Sequence, residues 1–214
     1  TVKQTVEAYA EWDDKLADVM KTTNMTKEEA KDLNSELSKM DTRTSQLELL
    51  NLARIAGKLG IEGKENIMGF VRAADQIAVA LAEDLGGDVE EATRQVGKLV
   101  DIFKITDDFT LEEAMLKIGS AMNSLGAAGT ANEAYILEFS KRLAGVAPTA
   151  GIAIDKVLGL GATLDELGQS SEIAGTAMVQ VIGNMFKDTA LYASMAGMEL
   201  KEFSDLVNTD ANEA

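Results

Sequence analysis

The chain has 214 residues, 46% of them hydrophobic and 26% charged, and 36 acids against 20 bases give a formal charge of −16 at pH 7. That balance is too apolar for an acidic disordered tail and too charged for a membrane bundle. It also repels nucleic acid and anionic lipid in the absence of a basic patch, which the sequence lacks. With no Cys and no His, disulfides, thiolate nucleophiles, thiolate or imidazole zinc sites and every imidazole-based triad are excluded.

Along the chain, apolar residues recur at i, i+3, i+4 and i+7, and no alternating run bounded by hairpin residues interrupts them, so the fold class is all-α. The first helix is expected over residues 2–21, with Val2, Val6, Tyr9, Leu16 and Met20 near heptad spacing. The second is expected over 27–42, opened by Thr26-Lys27-Glu28-Glu29 with the spacing of a capping box and striped by Ala30, Leu33, Leu37 and Met40. Both are more polar than the later helices. They are expected to project as a helical hairpin or to begin a coiled coil, with Tyr9 and Trp12 as candidates for contact with another chain or with another part of the same chain. A boundary near residues 42–44 divides the chain into 1–43, the polar hairpin, and 44–214, a compact helical domain.

From Ser45 onward the stripes are broader. Ile67, Phe70, Val71, Ala74, Ile77, Ala78 and Leu81 run over four turns. Ala92, Val96, Leu99, Val100 and Phe103 follow, then Leu111, Ala114, Met115, Ile118, Met122 and Leu125, and later Ala174, Ala177, Met178, Val181, Ile182, Met185 and Phe186. Asp88-Val89-Glu90-Glu91 and Thr110-Leu111-Glu112-Glu113 repeat the helix-start pattern, in which a cap oxygen accepts from an orphan N–H and acids face the positive helix end. Stops are expected at Gly60, Gly86-Gly87, Gly126 to Gly129, Gly145, Gly151, Gly168 and Gly197. The count is therefore nine or ten short glycine-terminated helices in a compact bundle. Gly69, Gly97, Gly119, Gly175 and Gly183 fall inside helical patterns, where each costs ~1 kcal/mol relative to Ala unless two backbones approach closely there. Thr1-Val2-Lys3-Gln4, without Met or signal-peptide layout, and Ala211-Asn212-Glu213-Ala214, without a closing apolar element, read as cuts from a longer protein.

Chemistry is sought and not found. Gly57-Lys58-Leu59-Gly60-Ile61-Glu62-Gly63-Lys64 has the wrong glycine spacing for a phosphate loop, lacks the following Ser or Thr and is preceded by no strand. Asp13-Asp14, Asp107-Asp108 and Glu112-Glu113 lack the calcium-loop pattern. The 10 Met sit largely on apolar stripes as core filler. Residues 143–164 are apolar except for Asp155 and Lys156, a pair that would be costly at mid-membrane. No catalytic, metal or cofactor residue is assigned, no direct nucleic-acid binding is expected, and no segment is expected to span a membrane.

Several segments together resemble one family. Ala53-Arg54-Ile55-Ala56-Gly57-Lys58-Leu59-Gly60-Ile61-Glu62-Gly63, with Ile67 and Phe70-Val71, is similar to the core region of bacteriophage tail tape measure proteins. So are Phe139-Ser140-Lys141-Arg142, Gly151-Ile152, Leu158-Gly159, Gly168, Glu172 and Ala174-Gly175-Thr176-Ala177, and the run from Ala196-Gly197-Met198 to Glu202-Phe203. The likeness covers roughly residues 25–205 and marks Gly57, Gly60, Gly63, Gly151, Gly168, Gly175 and Thr176 as a glycine and turn framework. It implies a non-enzymatic virion component, made in the bacterial cytoplasm, that lies in the tail tube, sets tail length and leaves ahead of the DNA. The implied partners are the tail-tube protein, tail assembly chaperones and tail tip proteins, with further copies of itself in a small homo-oligomer. A fully extended helix of this length would span ~320 Å, whereas the glycine stops and broad stripes favour a folded element with a radius of gyration near ~17 Å. The alternative from another class is a cytoplasmic all-helical adaptor, unrelated to phage, that docks proteins through Met-rich grooves.

Overall fold

The computed structural model describes residues 2–81, 84–85 and 88–211, without side chains for 2–5 and 8. Among the described residues the chain is all-helical, as the periodicity requires, with eleven α-helices. They are α1 (Val2–Thr23), α2 (Lys27–Leu37), α3 (Gln46–Lys58), α4 (Lys64–Leu81), α5 (Val89–Ile102), α6 (Leu111–Ala128), α7 (Glu133–Leu143), α8 (Ile154–Glu166), α9 (Ser171–Lys187), α10 (Thr189–Ala196) and α11 (Leu200–Thr209). Two short 3-10 turns lie at Ile105–Asp107 and Pro148–Ala150. The expected stop at Gly86-Gly87 lies outside the described residues.

The contacts group the chain into two units. One comprises the residues up to Lys98 together with Ile105–Lys117; the other comprises Leu99–Lys104 and the chain from Ile118 on. The loop at 42–44, where the sequence suggests a boundary, lies inside the first unit. There α1 packs along α3 and against α2, and α3 against α4. Of the stripe expected on α1 Leu16 is buried, with Val19 rather than Met20 beside it, while Val6 and Tyr9 are exposed because the start of α1 has no partner over them. α2 buries Ala30, Leu33 and Leu37, and α3 and α4 contribute Leu50, Ile55, Ile67 and Phe70. In the second unit α7 is the hub, packed on α8 and α9. Its core gathers Phe139, Leu143, Val157, Ile182, Phe203 and Val207.

Helix starts carry the caps expected from the sequence. Thr26 and Glu29 form a reciprocal capping box. Thr110 does the same with Glu113, whose carboxylate accepts from Thr110 N at 2.9 Å while Glu113 N donates to Thr110 Oγ1 at 3.3 Å. Asp88 accepts from Glu91 N at 2.9 Å. A further box, Ser45 with Glu48, opens α3. Four stops are left-handed glycines, Gly60, Gly151, Gly168 and Gly197. After each, the next residue donates back across the last turn: Ile61 N to Ala56 O, Ile152 N to Ala147 O, Gln169 N to Leu164 O and Met198 N to Ala193 O, at 2.9–3.1 Å. These bonds satisfy carbonyls that a helix end leaves open.

Two boundaries differ from the expectation. α2 ends at Leu37 rather than near 42 because the residues beyond it bond elsewhere: Thr42 Oγ1 donates to Asp75 Oδ1 on α4 at 2.7 Å, and Thr44 Oγ1 donates to the same oxygen. The stop expected over Gly126 to Gly129 is where α6 ends, at Ala128, and the missing side chain of Gly126 leaves room for the Glu133 carboxylate. The stretch after Ser171 is two helices, raising the count above nine or ten, because Asp188 leaves helical geometry and its carboxylate accepts from Leu191 N at 3.2 Å.

Candidate functional site

The residues singled out by sequence prove to be joints between elements. Gly57 on α3 faces the end of α1, where an added Cβ would lie 2.7 Å from both C and O of Thr22. Only a residue without a side chain permits that approach of backbones. Gly60 ends α3, and Gly63, at φ +83°, supplies the carbonyl that accepts from Ile67 N at 3.0 Å as α4 begins.

In the second unit, Gly151 combines positive φ (+71°) with direct contact to Thr209 O, and Ala211 N donates to Ala150 O at 2.9 Å. The end of α11 is thereby fastened beside the Pro148–Ala150 turn. Gly175 on α9 lies over the stem of Arg142, whose Cδ would be 2.7 Å from an added Cβ. The Arg142 head group reaches Glu172 at 3.3 Å and Glu138 at 3.5 Å. Gly168 ends α8, and Thr176 stands on the open side of α9.

Trp12 and Tyr9 have different roles. Trp12 Nε1 donates to Asn34 Oδ1 at 3.2 Å, and Gln46 Nε2 donates to the same oxygen at 2.8 Å, so one amide ties α1, α2 and α3 together. Tyr9 is 65% exposed, its ring centroid 5.6 Å from that of Trp12.

Sequence reasoning missed the tertiary polar contacts. Asp75, only 6% exposed, holds the α2–α3 loop through its two threonine partners. Arg72 grips Glu112 through Nε at 3.0 Å and Nη2 at 2.6 Å, joining α4 to the start of α6. Arg54 and Asn51 of α3 both hold Glu90 of α5, at 2.6 and 2.9 Å. In the second unit Asp165 and Glu166, at the end of α8, accept from the backbone N–H groups of Asn132 and Thr130 at 2.7 and 3.2 Å, fixing the α6–α7 loop. Acids are unfavourable at the negative end of a helix, and these two are offset by the loop donors they satisfy.

The electrostatics of these groups are structural. The Asn51 amide, with the Arg54 guanidinium, holds the Glu90 carboxyl below the usual range. Lys64 does the same for Asp32, and the backbone and hydroxyl of Thr26 for Glu29. The Glu112 hydrogen bonds raise the Arg72 guanidinium, and burial raises the Tyr135 phenol, with Asp165 adding to it. Each of these carboxyls is shifted downward, whereas a general acid needs a raised pKa. Among the described residues no three acidic side chains converge as metal ligands. Two open grooves, each of about 500 Å³, share Arg43 and Val79; one is lined by Asp75 and the other by Glu48, Asn51 and Glu90. They are lined by the α2–α3 loop and the neighbouring helices. No helix among the described residues is long and apolar enough to cross a membrane.

The residues singled out above are joints between the helices of an all-helical chain. The family model of the phage-related minor tail proteins matches residues 27–213, which is most of the chain. The protein belongs to that family, and a component of the phage tail is the role the family supports. No curated protein and no solved structure matches the chain.

Proposed function

We propose that this chain is the core region of a tail tape measure protein, a non-enzymatic part of the virion that takes part in tail assembly and length determination and leaves the tail ahead of the DNA. The observation that carries this reading is the family match over residues 27–213 on a chain whose described residues form helices joined by short turns. A helix supplies ~1.5 Å of length per residue and is the natural material for a ruler. This segment, however, is cut by glycine joints and capped turns into helices of 22 residues or fewer, and each unit has its own buried core. Such an element serves as an anchor for assembly rather than as the measuring shaft. The partners proposed for it are the tail-tube protein, the tail assembly chaperones and the tip proteins.

The test is genetic. In the phage that encodes this chain, in-frame removal of residues 133–211 is expected to abolish assembly of complete tails while tube protein is still made. Lengthening the helical sequence outside residues 1–214 is expected to lengthen tails in proportion. Normal tails in the deletion strain, counted by negative-stain microscopy, would refute the role.

A further inference from the structure

The end of α6 collects acid and no base. Residues 118–140 and 157–186, which hold most of α6, α7, α8 and α9, contain neither Lys nor Arg. Gly126 in the last turn of α6 and Gly129 just past it are three residues apart, and a carboxylate from another helix takes the place of each missing side chain. Oε1 of Glu133, the first residue of α7, lies against Gly126, and Oε1 of Glu166, the last residue of α8, lies against Gly129. Positions three apart on a helix are neighbours, about 5–6 Å from each other, so both carboxylates flank the same side of the α6 end. They differ in what holds them. Glu166 accepts from Thr130 N at 3.2 Å. Glu133 is only 9% exposed, yet it accepts no hydrogen bond and pairs with no base among the described residues. The N–H of Tyr135, which the start of α7 could offer it, donates instead to Asn132 Oδ1 at 3.1 Å. Burial penalises a charge without a partner, and the negative end of α6 adds to the penalty.

We propose that Glu133 and Glu166 hold a calcium ion at the end of α6. The donors are all oxygen, which selects a hard cation over zinc or copper. Calcium takes about six to eight oxygens in irregular arrangements, whereas magnesium demands a near-ideal octahedron. Carboxylates arriving from two helices at the end of a third suit the irregular shell. The last carbonyls of a helix have no partner within it, and those of α6, with water, complete the coordination. Bound there, the ion supplies the positive charge that these stretches lack and ties α6, α7 and α8 together beside their connecting loop. The inference stands independently of the tail function, because binding is read on the purified chain.

Calorimetric titration of the full chain with calcium chloride, and melting with and without it, test the site. Fewer than three acids converge, so one ion per chain is expected with a Kd on the order of 10⁻⁴–10⁻³ M, and Tm is expected to rise with calcium. Glu133→Gln is expected to weaken binding ~10-fold or more and, by removing a buried unpaired charge, to raise Tm in calcium-free buffer. Glu166→Gln is expected to weaken binding without that gain, and Asp14→Asn, at an exposed acid on α1, to leave it unchanged. Terbium gives a readout that needs no change at either carboxylate: its emission is expected to be sensitised by Tyr135, close to Glu133 on α7, lost in Tyr135→Phe and displaced by calcium. A wild-type chain without response at about 10 mM calcium, well above the expected Kd, would overturn the proposal. So would a Tm rise matched by equal magnesium chloride, or undiminished binding in Glu133→Gln.

Discussion

At the scale of single residues, what a glycine touches decides what its replacement costs. A methyl group at Gly57 meets the backbone C and O of Thr22 at 2.7 Å, and backbone inside a helix cannot yield. Gly57→Ala is therefore expected to destabilise by ~1–3 kcal/mol, read as a lower midpoint in urea. At Gly175 the nearest atom is Cδ of Arg142, also at 2.7 Å, but a long side chain can swing aside. Gly175→Ala should be close to neutral, the clash being offset by the ~1 kcal/mol that Ala gains in a helix. Equal losses at the two sites would show that backbone at the α1–α3 approach yields as readily as a side chain. A second pair isolates backbone conformation from contact. Gly151 and Gly168 have nearly the same φ, +71° and +73°, but only Gly151 has a neighbour in the way, Thr209 O. Gly168→Ala should cost only the left-handed strain, ~1–2 kcal/mol. Gly151→Ala should cost clearly more and release the end of α11, which hydrogen exchange at Ala211 would report.

Elements are decided at their ends. The caps at Thr26, Asp88 and Thr110 are legible in the sequence because a cap and its partner lie three residues apart, within one turn. The end of α2 is not legible, because its cause is Asp75, 33 residues beyond Thr42 in sequence. Asp188 has the look of a surface acid in the sequence, yet it divides α9 from α10 by accepting from Leu191 N. Asp188→Ala is expected to cost ~1 kcal/mol through loss of that cap; a stability unchanged within a few tenths would mean that packing of α10 on α11 alone sets the break. Gly126, within the expected stop at which α6 ends, has a second use that the sequence does not show, as a recess for the Glu133 carboxylate.

For the whole molecule, acid stability sets two effects against each other. The carboxyls of Glu29, Asp32, Glu48, Glu90 and Glu113 lie below their ordinary values. Their contribution is present above the unfolded value of ~4.3 and is lost as the pH falls through the lower folded values. Protonation also relieves the self-repulsion of a chain with pI ≈ 4.4. These pairs are mostly exposed, so the loss per group is small. Tm is expected to stay flat from about pH 7 to 5 and to fall below about pH 4. A Tm that climbs steadily down to pH 3 would show that self-repulsion is the larger effect.

The sequence by itself determined the helical class, the stripes of α4 to α6 in large part, most caps and the left-handed stops, because each depends on residues within one or two turns of each other. The α1 and α9 stripes it placed only in part, since Val6, Tyr9, Val181 and Phe186 are exposed. It also removed imidazole and thiolate chemistry by composition alone. Only the tertiary structure decided that Gly57 is a point of backbone contact, that Trp12 is spent on Asn34 while Tyr9 remains exposed, and that Asp75, Glu112 and Asp165 hold distant loops and helices. Those roles depend on which surfaces meet, and a helical stripe states that a face is apolar without naming its neighbour.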